Sequence, residues 1–278
     1  SSTSLTETHC RAAMAPAPFG DLAKPALDVL GDDYTSKYLL KAKSAPKSVP
    51  VSFTIEDEVG PKGVDGKLTA KIKEPYTGVT FDKITLKGTK YSFEASKSIE
   101  GVKFKAKGDP FDYKSTSGSA EFKGPFYALT AAADKSKVSG SIAAAPLFPS
   151  AILGGEASYP LKGGPIAYAC GASYAFQGLF ASVKYTSKKI FSFAFMWTPL
   201  PKFALAASVD SAKPKEPTVG FKYGASPSVT LGAKTTKDTL SLVYINKLGK
   251  DASVVVSAEA KYADLNAKPV LGATLTIG

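Results

Sequence analysis

Three features of this 278-residue chain predict an all-β fold, a transmembrane meander β-barrel of about 19 strands. Extended segments of roughly ten residues, the length that a tilted membrane-crossing strand needs, follow one another with short joints. Within them, lysine, serine or threonine alternates with aromatic or aliphatic residues at a period of two. Tyrosines stand near segment ends, at Tyr38, Tyr91, Tyr127, Tyr185, Tyr223 and Tyr262, where a membrane barrel carries its aromatic girdles.

Ser1–Ala13 is polar and unpatterned, and Met14 after it could serve as initiator, so residues 1–14 read as an extension outside the fold. Residues 15–36 read as an amphipathic helix and its linker. Phe19, Leu22, Ala26 and Leu30 keep helical spacing, with Leu27 and Val29 beside them. Pro25 has no N–H to offer the Asp21 carbonyl, so the helix should kink or restart there, and Gly31 reads as its stop. Spacing leaves two roles open: a cap on one end of a barrel, or a movable element within its lumen.

Residues 37–278 read as the barrel. The segments are Lys37–Ala45, Ser48–Glu58, Gly63–Glu74, Thr77–Gly88, Lys90–Ile99, Gly101–Gly108 and Phe111–Lys123. Then come Phe126–Lys135, Val138–Ala145, Ala151–Leu161, Gly164–Phe176, Gly178–Lys188, Ile190–Thr198 and Lys202–Ser211. The last are Glu216–Ala225, Ser228–Lys237, Thr239–Leu248, Asp251–Tyr262 and Pro269–Gly278. Glycine and proline punctuate the joints, as at Gly108–Pro110, Gly163–Gly164 and Pro199–Pro201. Joints this short leave no room for crossovers, so each strand should pair with the next, and the final strand needs a partner of its own. Alternation is weakest between Phe111 and Ser150, where alanine, serine and glycine crowd both faces.

The two faces differ chemically. Val102, Phe104 and Ala106 oppose Lys103, Lys105 and Lys107, while Leu68, Ala70 and Ile72 oppose Lys67, Lys71 and Lys73. A soluble sandwich also alternates, and strand number, uniform strand length and girdle aromatics favour the membrane barrel over it. In such a barrel Lys41, Lys43, Lys67, Lys71, Lys73, Lys103, Lys105, Lys107, Lys184, Lys222, Lys234 and Lys261 line a water-filled bore. That bore would concentrate anions over cations. The cluster Glu56–Asp57–Glu58 reads as a solvated strand end.

Composition narrows the alternatives. The net charge is +11, unchanged by removal of the extension (34 − 23), and Arg11 is the lone arginine. Lysine without arginine suits diffuse attraction to anions better than bidentate readout of nucleic acid. Cys10 and Cys170 make no disulfide framework or metal site, and His9 is the single histidine, so no triad or acid–base relay is legible. Neither a metal nor a cofactor is called for, and no phosphate-cradling loop follows a strand.

Over Ala15–Gly278 the chain resembles the mitochondrial voltage-dependent anion channel family, the eukaryotic porins. Phe19, Gly20, Asp21, Leu22 and Lys24, followed by Asp28, Val29 and Leu30, are similar to that family's N-terminal helix motif. Gly78–Phe81 resembles its fourth strand, and Leu242–Leu248 with Val254–Ala258 its penultimate strands. The resemblance implies a pore of the mitochondrial outer membrane for ATP, ADP, phosphate and organic acids. It implies a gating helix folded into the lumen, comprising Phe19, Asp21, Leu22, Lys24, Pro25, Asp28 and Leu30. It also implies nucleotide contact at Lys247, Gly249 and Lys250, and a barrel-insertion signal in Gly272, Leu275 and Ile277. Membrane lipid, permeating anions and further copies of the barrel are the implied partners, with no nucleic acid as a specific ligand. The sequence departs from the family at Pro25, at Val270, where a polar residue is expected, and at Asp82, where the membrane-facing glutamate of some members has no clear counterpart. The related protein-import channel of the same membrane shares the fold, but its bore would be acidic where this one carries lysine. A soluble basic β-rich ligand binder is the remaining alternative.

Overall fold

A computed structural model describes residues 16–31, 33–44, 50–60, 63–145, 150–264 and 268–278. The extension 1–14 lies outside the described residues. A 3-10 turn, Phe19–Asp21, leads into helix α1, Lys24–Gly31. Nineteen strands follow: β1 Tyr38–Ser44, β2 Val51–Gly60, β3 Gly63–Lys73, β4 Thr80–Lys87, β5 Lys90–Ile99, β6 Val102–Asp109 and β7 Asp112–Lys123. Next are β8 Tyr127–Asp134, β9 Lys137–Ala144, β10 Ala151–Pro160, β11 Ala167–Phe176, β12 Leu179–Thr186 and β13 Phe191–Leu200. The last are β14 Phe203–Asp210, β15 Thr218–Gly224, β16 Val229–Thr235, β17 Thr239–Lys247, β18 Ala252–Lys261 and β19 Val270–Ile277.

Each strand pairs antiparallel with the next, and β1 also pairs parallel with β19, from Tyr38 opposite Ala273 to Ala42 opposite Ile277. Parity dictates this. In an antiparallel meander with an odd number of strands the first and last run the same way, so closure must be parallel. The partner that the final strand requires is therefore β1, and the Ala273 N–H donates to the Lys37 carbonyl at 2.9 Å where the parallel ladder begins.

Segment edges shift where local chemistry intervenes. The fourth begins at Thr80 rather than Thr77, because the Glu74 carboxylate accepts the backbone N–H groups of Tyr76 (2.8 Å) and Thr77 (2.5 Å) and folds those residues into a turn. The eleventh begins at Ala167 rather than Gly164, since Gly163 and Gly164 have φ of 84° and 132°. Pro25 restarts the helix: it lies in the first turn of α1, where a missing N–H costs nothing. Gly31 is the last helical residue rather than the residue that reverses the chain, which is Asp33 at φ 76°.

Cross-strand register sorts the side chains into two continuous faces. The outer face carries Leu40, Ile55, Leu68, Phe104, Ile142, Phe193, Trp197, Leu242 and Val256, with Trp197 44% and Leu242 50% exposed. The inner face carries the lysines, glutamates, serines and threonines. Glu56 and Glu58 lie in the interior of β2 and point inward, correcting their reading as a solvated strand end, while Asp57 points outward beside Leu40 and Gly66. Asp82 sits in a β-bulge of β4, where the Ser96 hydroxyl donates to its carboxylate and Lys71 stands 3.8 Å away, so it too faces inward. No described helix is long and apolar enough to cross a membrane.

Closure can be tested in a variant lacking both native cysteines. Leu40→Cys with Leu275→Cys, which face each other across the parallel ladder, should cross-link within one chain on mild oxidation, seen as a mobility shift lost on reduction. An open sheet would give no such product.

Candidate functional site: a helix docked on the inner wall of a lysine-lined barrel

The helix lies against the inner wall because the wall has been emptied of side chains beneath it. Where neighbouring strands carry lysine or serine inward, a diagonal trough of Ala143, Gly154, Ala169, Gly171, Ala194, Ala206 and Gly220 runs from β9 to β15. Phe19 and Leu22 bury against Ala143 and Ala169 at one end, and Ala26, Val29 and Leu30 against Ala194, Ala206 and Phe180 at the other. Phe19 is 1% and Ala26 0% exposed. A Cβ at Gly154 would lie 2.6 Å from the Ile142 carbonyl oxygen and 2.7 Å from the Phe19 ring, and one at Gly220 2.7 Å from the Ala233 carbonyl oxygen and 3.1 Å from a Leu30 methyl. Glycine is therefore a packing requirement at both positions. Each large side chain buried this way stabilises docking by about 1.5–3 kcal/mol.

The exposed face of the segment turns toward the remaining lumen. Asp21, Lys24 and Pro25 are exposed, Lys24 pairs with Asp28 at 2.6 Å, and Leu27 is exposed rather than packed with the apolar stripe. A cavity of about 890 Å³ between the start of the segment and the wall from β6 to β12 is lined by Asp21, Lys103, Lys105, Glu121, Lys123 and Lys137 among others.

Polar contacts fix the segment further along. Lys222 donates to the Asp28 carbonyl at 2.8 Å and pairs with Asp33 at 2.9 Å, satisfying a carbonyl that the end of the helix leaves open. Tyr34 lies under Lys234, whose ammonium sits 4.4 Å from the ring centroid. Its hydroxyl is buried and makes no hydrogen bond with described residues. Burial, and secondarily the Asp33 carboxylate, push the Tyr34 hydroxyl up to about 12 from its ordinary 10.0. Beyond it, the Thr35 N–H donates to the Ser257 hydroxyl at 3.1 Å and the same hydroxyl donates to the Thr35 carbonyl. This brings the linker over Gly272, where a Cβ would overlap the Thr35 carbonyl.

The lysines read from the sequence as pore-lining all project inward by register, but they fall into two groups. Lys41 and Lys67 share Glu56 at 3.4 and 2.5 Å, and Lys71 faces Asp82. Lys105 pairs with Glu121 (2.9 Å), Lys107 with Glu94 (3.2 Å), Lys184 with Glu156 (2.8 Å) and Lys222 with Asp33. Lys184 also stands over the Phe19 ring at 4.9 Å. Lys43, Lys73, Lys103, Lys234 and Lys261 form no ion pair with a described residue. Lysine–lysine neighbours across strands, such as Lys67 opposite Lys87, remain close enough to repel.

The other expected sites are dispersed. Lys247, Gly249 and Lys250 form an exposed turn between β17 and β18, at the same rim as the C-terminus. Gly272 faces the lumen under the linker, whereas Leu275 and Ile277 face outward, so these three share a strand but not a surface. Sequence reasoning missed the inward carboxylates that neutralise the lysines, and it missed the trough. Its trace in the sequence was the run of small residues at alternate positions of β11, Ala167, Ala169 and Gly171.

The arrangement is a closed 19-stranded barrel with an apolar exterior, a cation-rich interior and a short helix seated inside. No family model matches the chain, and no curated protein matches it.

Phe19→Ala, which empties the deepest anchor, should weaken docking by about 3 kcal/mol, with Leu22→Ala, beside it in the same cluster, giving a similar loss. Both should raise the mobility of a spin label placed at Leu27 while the strand content is unchanged. Ionisation of the phenol is held back while the segment is docked, so docking is fully stabilised below pH 10 and loses that contribution as pH rises toward 12. In an ultraviolet titration one tyrosine should ionise near 12, and Tyr34→Phe should remove that phase alone.

Proposed function

We propose that the protein is a voltage-dependent, weakly anion-selective diffusion pore of the mitochondrial outer membrane, passing ATP, ADP, phosphate and small organic anions. The observation that carries this reading is the segregation of the barrel's two faces: apolar side chains exposed all around the outside, lysines around the inside. Such an exterior is stable in acyl chains, and the closed ladder leaves no strand edge unpaired there. Within the bore the positive field is partial, because about half of the lysines named above meet a carboxylate, which accords with weak rather than strict selectivity. The docked helix carries charge on its lumenal face and is held by a few separable contacts, which suits it to move in response to voltage. The mitochondrial address and the identity of the permeants rest on the resemblance to the eukaryotic porins.

Purified protein in a planar bilayer with a salt gradient should give a reversal potential of the sign set by anions. Replacing the unpaired Lys43, Lys103 and Lys261 together with glutamate should drive it through zero. Replacing the paired Lys107 alone should move it much less. A strong cation preference of the native chain would overturn the reading.

A further inference from the structure

Among the described residues that the register places on the outer face, only Asp57 and Lys97 are charged. Lys97 stands opposite Phe104, two residues before the end of β5, and has no ion pair with a described residue. It marks one end of a groove of about 520 Å³ in the outer wall. The floor is made of Ala95, Ala106, Gly118, Ala120, Ala131 and Ala133, and Phe104 and Val138 flank it. Six small residues lie together here beside the large apolar side chains of the neighbouring wall, so the groove is a local thinning of the wall.

The register gives the groove a direction. Lys97 pairs with Phe104, Phe104 with Ala120, and Ala120 with Ala131, while Ala133 pairs with Val138. The groove thus crosses the strands from β5 to β9. Phe104 lies close to the rim that carries the β5–β6 turn, Ala120 is deeper, and Val138 is next to the opposite end of its strand. Four strand spacings of about 4.8 Å, inclined by a strand tilt of about 45°, carry it down roughly 14 Å, and the step from Ala131 to Ala133 along β8 takes it further, toward the rim at which β9 begins.

We propose that this groove holds one acyl chain of an anionic phospholipid whose phosphate pairs with Lys97. The proposal rests on the membrane reading above. A lysine at the headgroup level of an apolar wall extends its ammonium to the interface, where an anionic headgroup attracts it. The single outward carboxylate, Asp57, stands three residues before the end of β2, at the rim opposite to that of Lys97. A second copy inserted in the same orientation therefore cannot bring its Asp57 to Lys97, whereas a lipid phosphate reaches it from the bilayer surface.

The test is native mass spectrometry of the full chain released from micelles containing equal amounts of phosphatidylglycerol and phosphatidylcholine with identical chains. The native barrel should retain phosphatidylglycerol about fivefold over phosphatidylcholine, the preference that one interfacial lysine confers. Lys97→Gln should equalise the two. Ala120→Leu with Ala131→Leu, which fills the floor, should lose both adducts, while Ala258→Leu elsewhere on the outer face should change neither. Equal retention by the native chain, an unchanged ratio in Lys97→Gln, or a paired-barrel mass in place of lipid adducts would each overturn the proposal. Conductance in phosphatidylcholine bilayers separates the two ideas. A barrel that conducts but shows no headgroup preference loses only the groove, and one that never conducts loses the pore.

Discussion

The parallel ladder between β1 and β19 is the constraint on which the rest of the molecule depends. Each backbone N–H left unpaired in an apolar surrounding costs several kcal/mol, so a sheet with this exterior must close on itself. With nineteen strands it can do so only in parallel, and the linker Thr35–Lys37 delivers β1 to β19 by crossing over Gly272, the position where any side chain would block it. Closure then turns a period-two sequence into two environments, one facing outward and one enclosed.

Within that enclosure, the helix and the wall are a matched pair. A lysine or serine inward at every second position would leave the apolar stripe of Phe19, Leu22, Ala26, Val29 and Leu30 facing water and charge. The trough of alanine and glycine replaces those side chains over a few strands, so the stripe meets backbone and methyl groups instead. Lys222 and Ser257 then hold the chain leaving the helix, so polar contacts continue where the apolar stripe ends.

The interior charge is moderated rather than maximal. Glu56, Glu94 and Glu121 each lie within ion-pair distance of a lysine on an adjoining strand, and Glu156 on β10 reaches over β11 to Lys184 on β12, which offsets the repulsion that a ring of lysines would otherwise build up. These pairs are partly exposed to the lumen, so each is worth little to stability. Their larger effect is on the field inside the barrel, which is set by the lysines left over.

Strand number, approximate strand spans and the residues of each strand that share a face were legible in the chain alone, because a strand's side-chain period is fixed by backbone geometry. Thus Lys103, Lys105 and Lys107 were assignable to one surface without knowing what that surface enclosed. Which carboxylate meets which lysine was settled by the folded barrel, since Glu121 approaches Lys105 across a register that no single strand encodes. The folded barrel alone revealed the trough as well, because Gly154, Gly171 and Gly220 lie on different strands and become one surface only when the wall curves and closes beneath the helix.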